Sequence, residues 1–389
     1  MTRAPAFRFF GPTEKALFVS RPNRFVITCN LKGKTVHAFL PNPGRLLELL
    51  LPETPVYLEE TFNPNRSLRY TAVAVEREGY RIVLHTHRTN DVAQYLIESR
   101  EIPSLRNHEV VRREVTRGSS RFDFLLRKGS QEMLLEVKSC TLFGRSVAMF
   151  PDAVTARGKK HIEELARLSE ERTSCAVLFL VHWPRAKIFL PDFHTDLEFS
   201  RAMREAKDRV CFFPVSVEWG ENLSLVSGRT MELPVLWEAL DREAEDRGSY
   251  LVLYFLPRKR LVEIGGLGKV AFKQGWYLYV GSAMKSLSKR VERHRRTRKN
   301  VHWHIDYFSR YAEFQGSLAV RSEDDLECEI ASAMSGISEW SVPGFGCSDC
   351  SCPSHLYGFS KDPMSLRKFH DILQHYRMDR LIEKYSSFL

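Results

Sequence analysis

Over the first 85 residues the apolar positions come in short runs. Residues 25–29, 35–39, 55–60, 69–76 and 81–84 are rich in Val, Ile, Phe, Tyr and Thr, with Gly, Asn and Pro between them. Short β-rich runs set off by turn formers predict strands, so residues 1–85 are expected to form a small β barrel or sheet. The period then changes. A helical pattern at 91–99 is followed by strand patterns at 109–116, 121–126 and 133–138, a helical pattern at 155–171 and an apolar run at 176–181. The run has the look of a buried strand, and the order αβββαβ predicts an α/β domain over 86–236. Residues 237–248, WEALDREAEDRG, are charged and lie between two apolar blocks, which is where a domain boundary falls. We read 237–247 as a linker. Beyond it, 250–255, 276–280 and 302–308 read as strands and 286–296 as a helix, giving a further α/β region over 248–360. The stretch 363–385 reads as polar helix within a tail, 361–389. The expected class is thus a multidomain α+β or α/β protein, without internal repeats.

Length agrees, since 389 residues at roughly 150 per domain allow two or three domains. The longest apolar stretches, 175–181 and 250–256, fall short of the roughly 20 residues that span a bilayer. No membrane association is expected. Arg3, Arg8, Pro12 and Glu14 interrupt the N-terminal apolar residues, so no secretory core forms and a cytoplasmic location is expected. Lys and Arg exceed Asp and Glu by 58 to 48, and the excess is local. Lys285, Lys289, Arg290, Arg293, Arg295, Arg296, Arg298 and Lys299 face Glu292 alone between residues 284 and 300. That is the footprint of a phosphate-backbone contact, with a solvated helix face as the plain alternative. Nothing in the sequence sets the oligomeric state.

Candidate chemistry falls in three places. In the run 133–138, strand alternation puts Glu136 and Lys138 on one side with Leu134, and Leu135 and Val137 on the other. Asp123 lies mid-strand in Ser-Arg-Phe-Asp-Phe-Leu-Leu, and a turn at Gly129-Ser130 can fold it beside Glu136. Two carboxylates with a nearby ammonium suit metal-assisted phosphodiester hydrolysis: oxygen ligands for Mg²⁺ (or Mn²⁺), and a cation to orient water or neutralise charge. A cross-strand ion pair on an exposed sheet is the bland alternative.

The stretches EVTRGSSRFDFLL (114–126), LEVKSCTL (135–142), FPDAVTARGKKH (150–161) and, upstream, LPNPGRLLELL (40–50) resemble the sugar fermentation stimulation protein family (SfsA), over residues 7–235. The resemblance implies an OB-like nucleic-acid-binding barrel over 1–85 followed by a domain similar to PD-(D/E)XK nucleases over 86–236. It makes Asp123 and Glu136 the metal carboxylates and Lys138 the catalytic lysine. Arg157, Gly158, Lys160 and His161 would open a helix beside the site, where basic groups and a helix N-terminus suit phosphate. OB barrels stack bases on aromatics in a basic groove, so Arg24, Asn42 and Arg45, with Phe25 and Phe39, are binding candidates; the plain reading of each aromatic is core. The family name implies a regulatory DNA-binding role in sugar metabolism.

The second place joins Tyr250 to the strand GWYLYVGSA (275–283) and to Arg290 and His294, spaced i and i+4 on one helix face. Phenols, a guanidinium and an imidazole on one surface suit phosphodiester chemistry, although tyrosine pairs in strands are more often packing. Tyr279-Val-Gly-Ser-Ala and Lys289-Arg-Val-Glu-Arg-His294 are similar to the second half of the GIY-YIG nuclease motif. The resemblance makes Tyr250 and Tyr279 the motif tyrosines, Arg290 the catalytic arginine, His294 a proton-transfer group, and Glu329, with Glu327 as fallback, the metal-binding acid of a later helix. Ser249 departs from the motif's isoleucine, and the 29 positions from Tyr250 to Tyr279 exceed its usual spacing. With the closing Cys-rich segment, residues 248–359 look like an uncharacterised GIY-YIG-like branch.

The third place holds Cys347, Cys350, Cys352 and His355 within nine residues. Thiolates and imidazole at this spacing can close a tetrahedral Zn²⁺ site. The spacing is compact, so His302 or His304 could be recruited instead; reduced thiols or a local disulfide are the alternatives. Parity puts His302, His304 and Asp306 on one strand face. Together these features predict Mg²⁺-dependent cleavage or processing of nucleic acid, DNA before RNA. The alternative is a non-catalytic DNA-binding regulator.

Overall fold

The computed structural model describes residues 8–61, 67–118, 120–171, 173–296, 298 and 300–388. Arg3, Phe7 and Lys299 lie outside them. The chain forms two compact units. One holds the residues up to Asp192 and Glu198–Trp237; the other holds Phe193–Leu197 and Glu238–Ser387.

The first unit opens with β1 (Thr13–Asn23), β2 (Val26–Leu31), β3 (Lys34–Phe39), β4 (Pro55–Glu60), β5 (Tyr70–Arg77) and β6 (Tyr80–Val83). β1 pairs with β2 on one side and β4 on the other, and a parallel pairing of β3 with β5, Ala38 opposite Tyr70, closes five strands into an OB-like barrel. Sequence periodicity missed β1, the strand at the middle of this order. Only Ala16 and Phe18 of it are buried, and the apolar Leu17 and Val19 stand on its exposed face, so the alternation is masked.

α1 (Thr89–Glu98) then leads to the hairpin strands β7 (Glu109–Arg117), β8 (Ser120–Lys128) and β9 (Gln131–Cys140), the short β10 (Leu142–Phe143) and β11 (Val147–Phe150), and α2 (Ala156–Glu170). β12 (Ser174–Val181), β13 (Ile188–Pro191), α3 (Leu197–Glu205), β14 (Cys211–Ser216) and β15 (Met231–Glu232) follow. A six-stranded mixed sheet runs β15-β14-β12-β9-β8-β7, antiparallel from β7 to β9 and parallel from β9 through β12 to β14. Leu134 on one face of β9 enters the core that the barrel shares, whereas Leu135 and Val137 enter the core under α1. The sheet is covered on both sides, and the polar end of β9, with Asp123 of β8, faces a cleft.

The second unit contains most of α4 (Trp237–Glu243), then β16 (Gly248–Leu256), the hairpin β17 (Arg260–Ile264) and β18 (Gly268–Phe272), β19 (Gly275–Ala283), α5 (Leu287–Arg295) and α6 (His304–Phe308). It continues with β20 (Glu313–Arg321), α7 (Glu327–Ser335), β21 (Trp340–Ser341), β22 (Leu356–Phe359), α8 (Arg367–Gln374) and α9 (Arg380–Lys384). Its sheet order is β20-β16-β19-β22-β21.

Residues 304–308, expected as strand, are helix. Asp306 accepts hydrogen bonds from the backbone N–H groups of His302 and Trp303, each at 3.0 Å. An acid three residues into a helix that binds back to its first N–H groups starts the helix locally, and this outweighs a weak alternation. His302, His304 and Asp306 therefore do not share a strand face. The stretch read as a linker begins with a helix, α4.

Candidate functional site

The hairpin of β8 and β9 brings the first constellation together. Phe124 pairs with Leu135, one position in from Asp123 and Glu136. Asp123 accepts from Asn90 Nδ2 on α1 at 2.7 Å and from the Val137 N–H at 2.7 Å. Glu136 Oε1 accepts from Lys138 Nζ and lies 2.6 Å from His161 Nδ1 on α2. Arg157 Nε lies 3.4 Å from His161 Nε2 and donates to it. That bond leaves Nδ1 as the protonated nitrogen, giving a chain Arg157, His161, Glu136. Glu136 Oε2 is buried and has no hydrogen-bond partner among the described residues.

Burial pushes the Asp123 carboxyl up, and the charge of Glu136 adds to the shift. Burial also pushes Glu136 up, but the hydrogen bond from His161 and the charge of Lys138 outweigh it, so Glu136 sits below its ordinary value. The two carboxyls are thus shifted in opposite directions, Asp123 by burial and Glu136 by its cationic and hydrogen-bonding neighbours.

Asp123, Glu136 and Lys138 line one cleft of about 580 Å³ whose far wall is the barrel's Arg24, Asn42, Pro43 and Gly44, with Arg157 at the start of α2. Thr155 caps that helix, its side chain accepting from the Gly158 N–H at 3.0 Å. The loop at 42–46 is bound to residue 152. Leu46 N–H donates to Asp152 Oδ2 at 2.6 Å, Arg45 Nε donates to the Asp152 carbonyl at 2.7 Å, and a Cβ on Gly44 would lie 2.8 Å from Asp152 Oδ2. Arg45, expected on nucleic acid, is thus turned into the protein and does not line the cleft; Lys160 is exposed and does not line it either. Phe25 is 47% exposed with the Arg24 guanidinium 5.8 Å from its ring, so it is not core. Phe39 is half-buried against His87.

In the second unit β16 and β19 place Tyr250 and Tyr279 side by side, ring centroids 6.4 Å apart. His294 Nε2 on α5 lies 3.0 Å from the Tyr250 hydroxyl. A Cβ on Gly281 would lie 2.6 Å from the Tyr250 ring, which is why a glycine follows Val280. Burial raises both phenols; Arg290 opposes the shift and Glu327 adds to it. Glu329, expected as the acid of this site, is exposed, and its charge acts on Tyr376. Two positions apart on a helix face opposite ways, about 200°, so Glu327 is the acid toward the tyrosines. Ser249 has its own task, accepting from the Leu326 N–H at 3.2 Å where α7 begins.

Arg290 and Arg293 lie 4.2 and 4.3 Å from the Trp303 ring. Arg293 donates to Asp306 at 2.8 and 2.9 Å and to the Asn300 carbonyl at 2.7 Å, so it holds the protein together and is not offered to a ligand. Arg295 pairs with Glu292 at 3.4 Å, and Arg296 is exposed.

All eight cysteines are free thiols, with no local disulfide. The group with metal-binding geometry is Cys328, Cys350, Cys352 and His355. Cys347 lies outside it, and Cys328, from the first turn of α7, takes its place. His304 accepts from the Gly346 N–H at 3.1 Å and is not part of it. Sequence reading missed Asn90 and Cys328. Nothing local marks the first, while the second is the remaining cysteine of its unit.

An OB-like barrel facing a mixed sheet across a cleft with two carboxylates and a lysine defines the class. Residues 19–84 match the SfsA N-terminal OB domain and residues 87–222 the sugar fermentation stimulation protein RE domain. Residues 249–378 match a domain of unknown function, DUF123. A sugar fermentation stimulation protein homolog of Methanothermobacter thermautotrophicus is 39% identical over 191 residues, 49% of this chain and 80% of that protein. One of Clostridium kluyveri is 38% identical over 215 residues, 54% of this chain and 93% of that protein. The structure of Pyrococcus furiosus SfsA in complex with Ca²⁺ superposes with a TM-score of 0.55 at 26% identity, covering 60% of this chain and 99% of that one. The chain belongs to the sugar fermentation stimulation protein family, and it carries the DUF123 domain in addition. Among the described residues no helix is long and apolar enough to cross a membrane.

Proposed function

We propose that the chain binds nucleic acid, DNA before RNA, and hydrolyses its phosphodiester bonds in the cleft of the first unit. The single observation that carries this reading is Glu136 Oε2, a buried carboxylate oxygen without a partner among the described residues, on the same cleft as Asp123 and Lys138. Buried acceptors are nearly always satisfied, and an all-oxygen donor set suits Mg²⁺ or Mn²⁺. The related P. furiosus protein in complex with Ca²⁺ supports a hard divalent cation here. Such an ion, when bound, polarises phosphate oxygens and lowers the pKa of water. The protein does the rest. Asn90 and the Val137 N–H orient Asp123, and His161 and Lys138 orient Glu136. Lys138 would align water or offset developing charge, as the lysine of a PD-(D/E)XK site does. Arg24, Asn42 and Arg157 on the cleft walls suit phosphates, and Phe25 offers a face for a base.

A second reading favours the tyrosine cluster as a GIY-YIG-like phosphodiester site, with Tyr250, Tyr279, Arg290, His294 and Glu327 in the named roles and Arg295 and Arg296 on the backbone. Its support is the Tyr250–His294 hydrogen bond at 3.0 Å. On these readings the parts are a barrel (1–85), a nuclease-like domain (86–236), a linker (237–247), a GIY-YIG-like domain (248–360) and a tail (361–389). Eight free thiols support a reducing, cytoplasmic setting.

The full chain, incubated with supercoiled plasmid, single-stranded DNA and RNA in Mg²⁺, Mn²⁺ or EDTA, tests the assignment beside Glu136→Ala, Arg290→Ala and the double variant. Metal-dependent products that vanish with Glu136→Ala are expected. Products lost with Arg290→Ala alone would move the chemistry to the second unit. Salt-sensitive binding without cutting in any variant would leave the DNA-binding regulator of sugar-metabolism genes as the function.

A further inference from the structure

We propose that Cys328, Cys350, Cys352 and His355 hold a structural zinc ion, and that the ion, through His355, sets the position of Glu327. The four ligand atoms lie within 4.8 Å of one another. Zinc bonds of about 2.3 Å to sulfur and 2.0 Å to nitrogen put the corners of a tetrahedron roughly 3.5–3.8 Å apart, so a contraction of about one ångström closes the site. Cys350 Sγ is 3.5 Å from His355 Nε2. Three thiols and an imidazole are soft and borderline donors that select zinc over Mg²⁺. Four protein ligands leave no open position, which makes the ion a staple and not a reagent.

The geometry around the histidine carries the second half. His355 Nδ1 lies 2.7 Å from Glu327 Oε1, leaving Nε2 for the metal. A carboxylate behind a ligating imidazole is the arrangement that fixes the tautomer and ring plane of zinc-bound histidines. The His355 carbonyl accepts from the Val280 N–H at 2.9 Å, next to Tyr279. Glu327 is also, with Asp306, one of two carboxylates whose charge reaches Tyr250 and Tyr279. The zinc would thus clip the start of α7 to the loop at 350–355 and hold Glu327 toward the tyrosine pair. This consequence rests on the second reading above; the zinc site itself does not.

Metal analysis of the full chain after gel filtration, with Co²⁺ exchange read by the thiolate-to-cobalt charge-transfer band, tests the site in the wild type, Cys328→Ser, Cys347→Ser and Glu327→Gln. About one zinc per chain and a tetrahedral Co²⁺ spectrum are expected in the wild type. Cys347→Ser should keep both, Cys328→Ser should lose both, and Glu327→Gln should bind some 10- to 100-fold more weakly. A wild type that takes up neither metal overturns the proposal, as does loss of metal in Cys347→Ser with retention in Cys328→Ser. If Cys328→Ser does not fold, the wild-type spectrum and the Cys347→Ser stoichiometry decide. Wild-type affinity in Glu327→Gln removes the link to the tyrosines and leaves the site. Every readout is metal binding, so an inactive tyrosine cluster would not be mistaken for a missing zinc.

Discussion

Glu136 has a hydrogen-bonding partner at one oxygen and none among the described residues at the other, while both oxygens of Asp123 are engaged by Asn90 and the Val137 N–H. The two acids are therefore held differently: Asp123 through both oxygens, and Glu136 through Oε1, with Oε2 the atom that the proposed function gives to a cation. Asn90→Ala removes one of the two bonds that aim Asp123. Loss of such an outer partner weakens metal binding 10- to 100-fold in comparable sites. The expected result is a rise of about that size in the Mg²⁺ concentration for half-maximal cleavage, with near-wild-type rate at saturation, measured by metal titration. An unchanged titration would mean that Asn90 does not orient the ligand. Asp123, Glu136 and Lys138 were legible in the sequence, because strand parity and one hairpin turn place them. Asn90 was not, because its partner is 33 positions away and a lone Asn carries no pattern. The roles of Arg45 and Arg293 were hidden for a related reason: a guanidinium reads the same in sequence whether it meets a phosphate or the protein's own Asp152 or Asp306.

At the scale of elements, α6 shows how one side chain decides between strand and helix. Asp306 caps the helix and pairs with Arg293 at 2.8 Å. Burial pushes its carboxyl up, but the bonds from Arg293 and the two backbone N–H groups hold it down to about 2. A depressed carboxyl stabilises the fold above its ordinary value of 3.8 and loses that contribution as pH falls through about 2. Asp306→Asn removes the charge and keeps one of the two acceptor oxygens. It should cost about 1–3 kcal/mol at neutral pH, and the deficit should shrink on acidification, as read from denaturant midpoints at pH 7 and below 4. A deficit independent of pH would mean that the charge is not what Asp306 contributes. The hairpin β8–β9 and helix α2 were readable from period alone. β1 was not, because Leu17 and Val19 on its exposed face break the alternation with the buried Ala16 and Phe18.

At the scale of the whole molecule, contacts between distant positions do what periodicity cannot announce. Glu243 in α4 is buried and accepts from Arg380 at 2.7 Å and from the Tyr385 hydroxyl at 2.9 Å, with Lys384 at 2.8 Å. Burial raises its carboxyl, yet the cations prevail and hold it at about 2. The tail, to which the sequence assigned no role, thus closes on a segment read as linker. Glu243→Gln removes the buried counter-charge of Arg380 and Lys384, which keep only more exposed partners, Asp324 for both and Glu323 for Lys384. Breaking a buried pair from one side costs about 3–5 kcal/mol; Lys384 is partly exposed, which points to the low end. A drop of that order in the second unit's unfolding free energy is expected, and a change under about 1 kcal/mol would show the tail to be dispensable. By itself the sequence determined the order of the longer elements from β2 to β12, without the short β10 and β11, the placing of Asp123 beside Glu136 and Lys138, and the basic helix. These follow from spacing within one element or across one hairpin turn, where chain geometry links spacing to facing; the tyrosine pair, 29 positions apart, came from the motif resemblance. Only the tertiary structure decided that Cys328 and not Cys347 clusters with Cys350, Cys352 and His355, that Glu327 and not Glu329 meets His355, and that Asn90 lies beside Asp123. The path of the intervening chain selects such partners, and burial of that path depends on the whole fold at once.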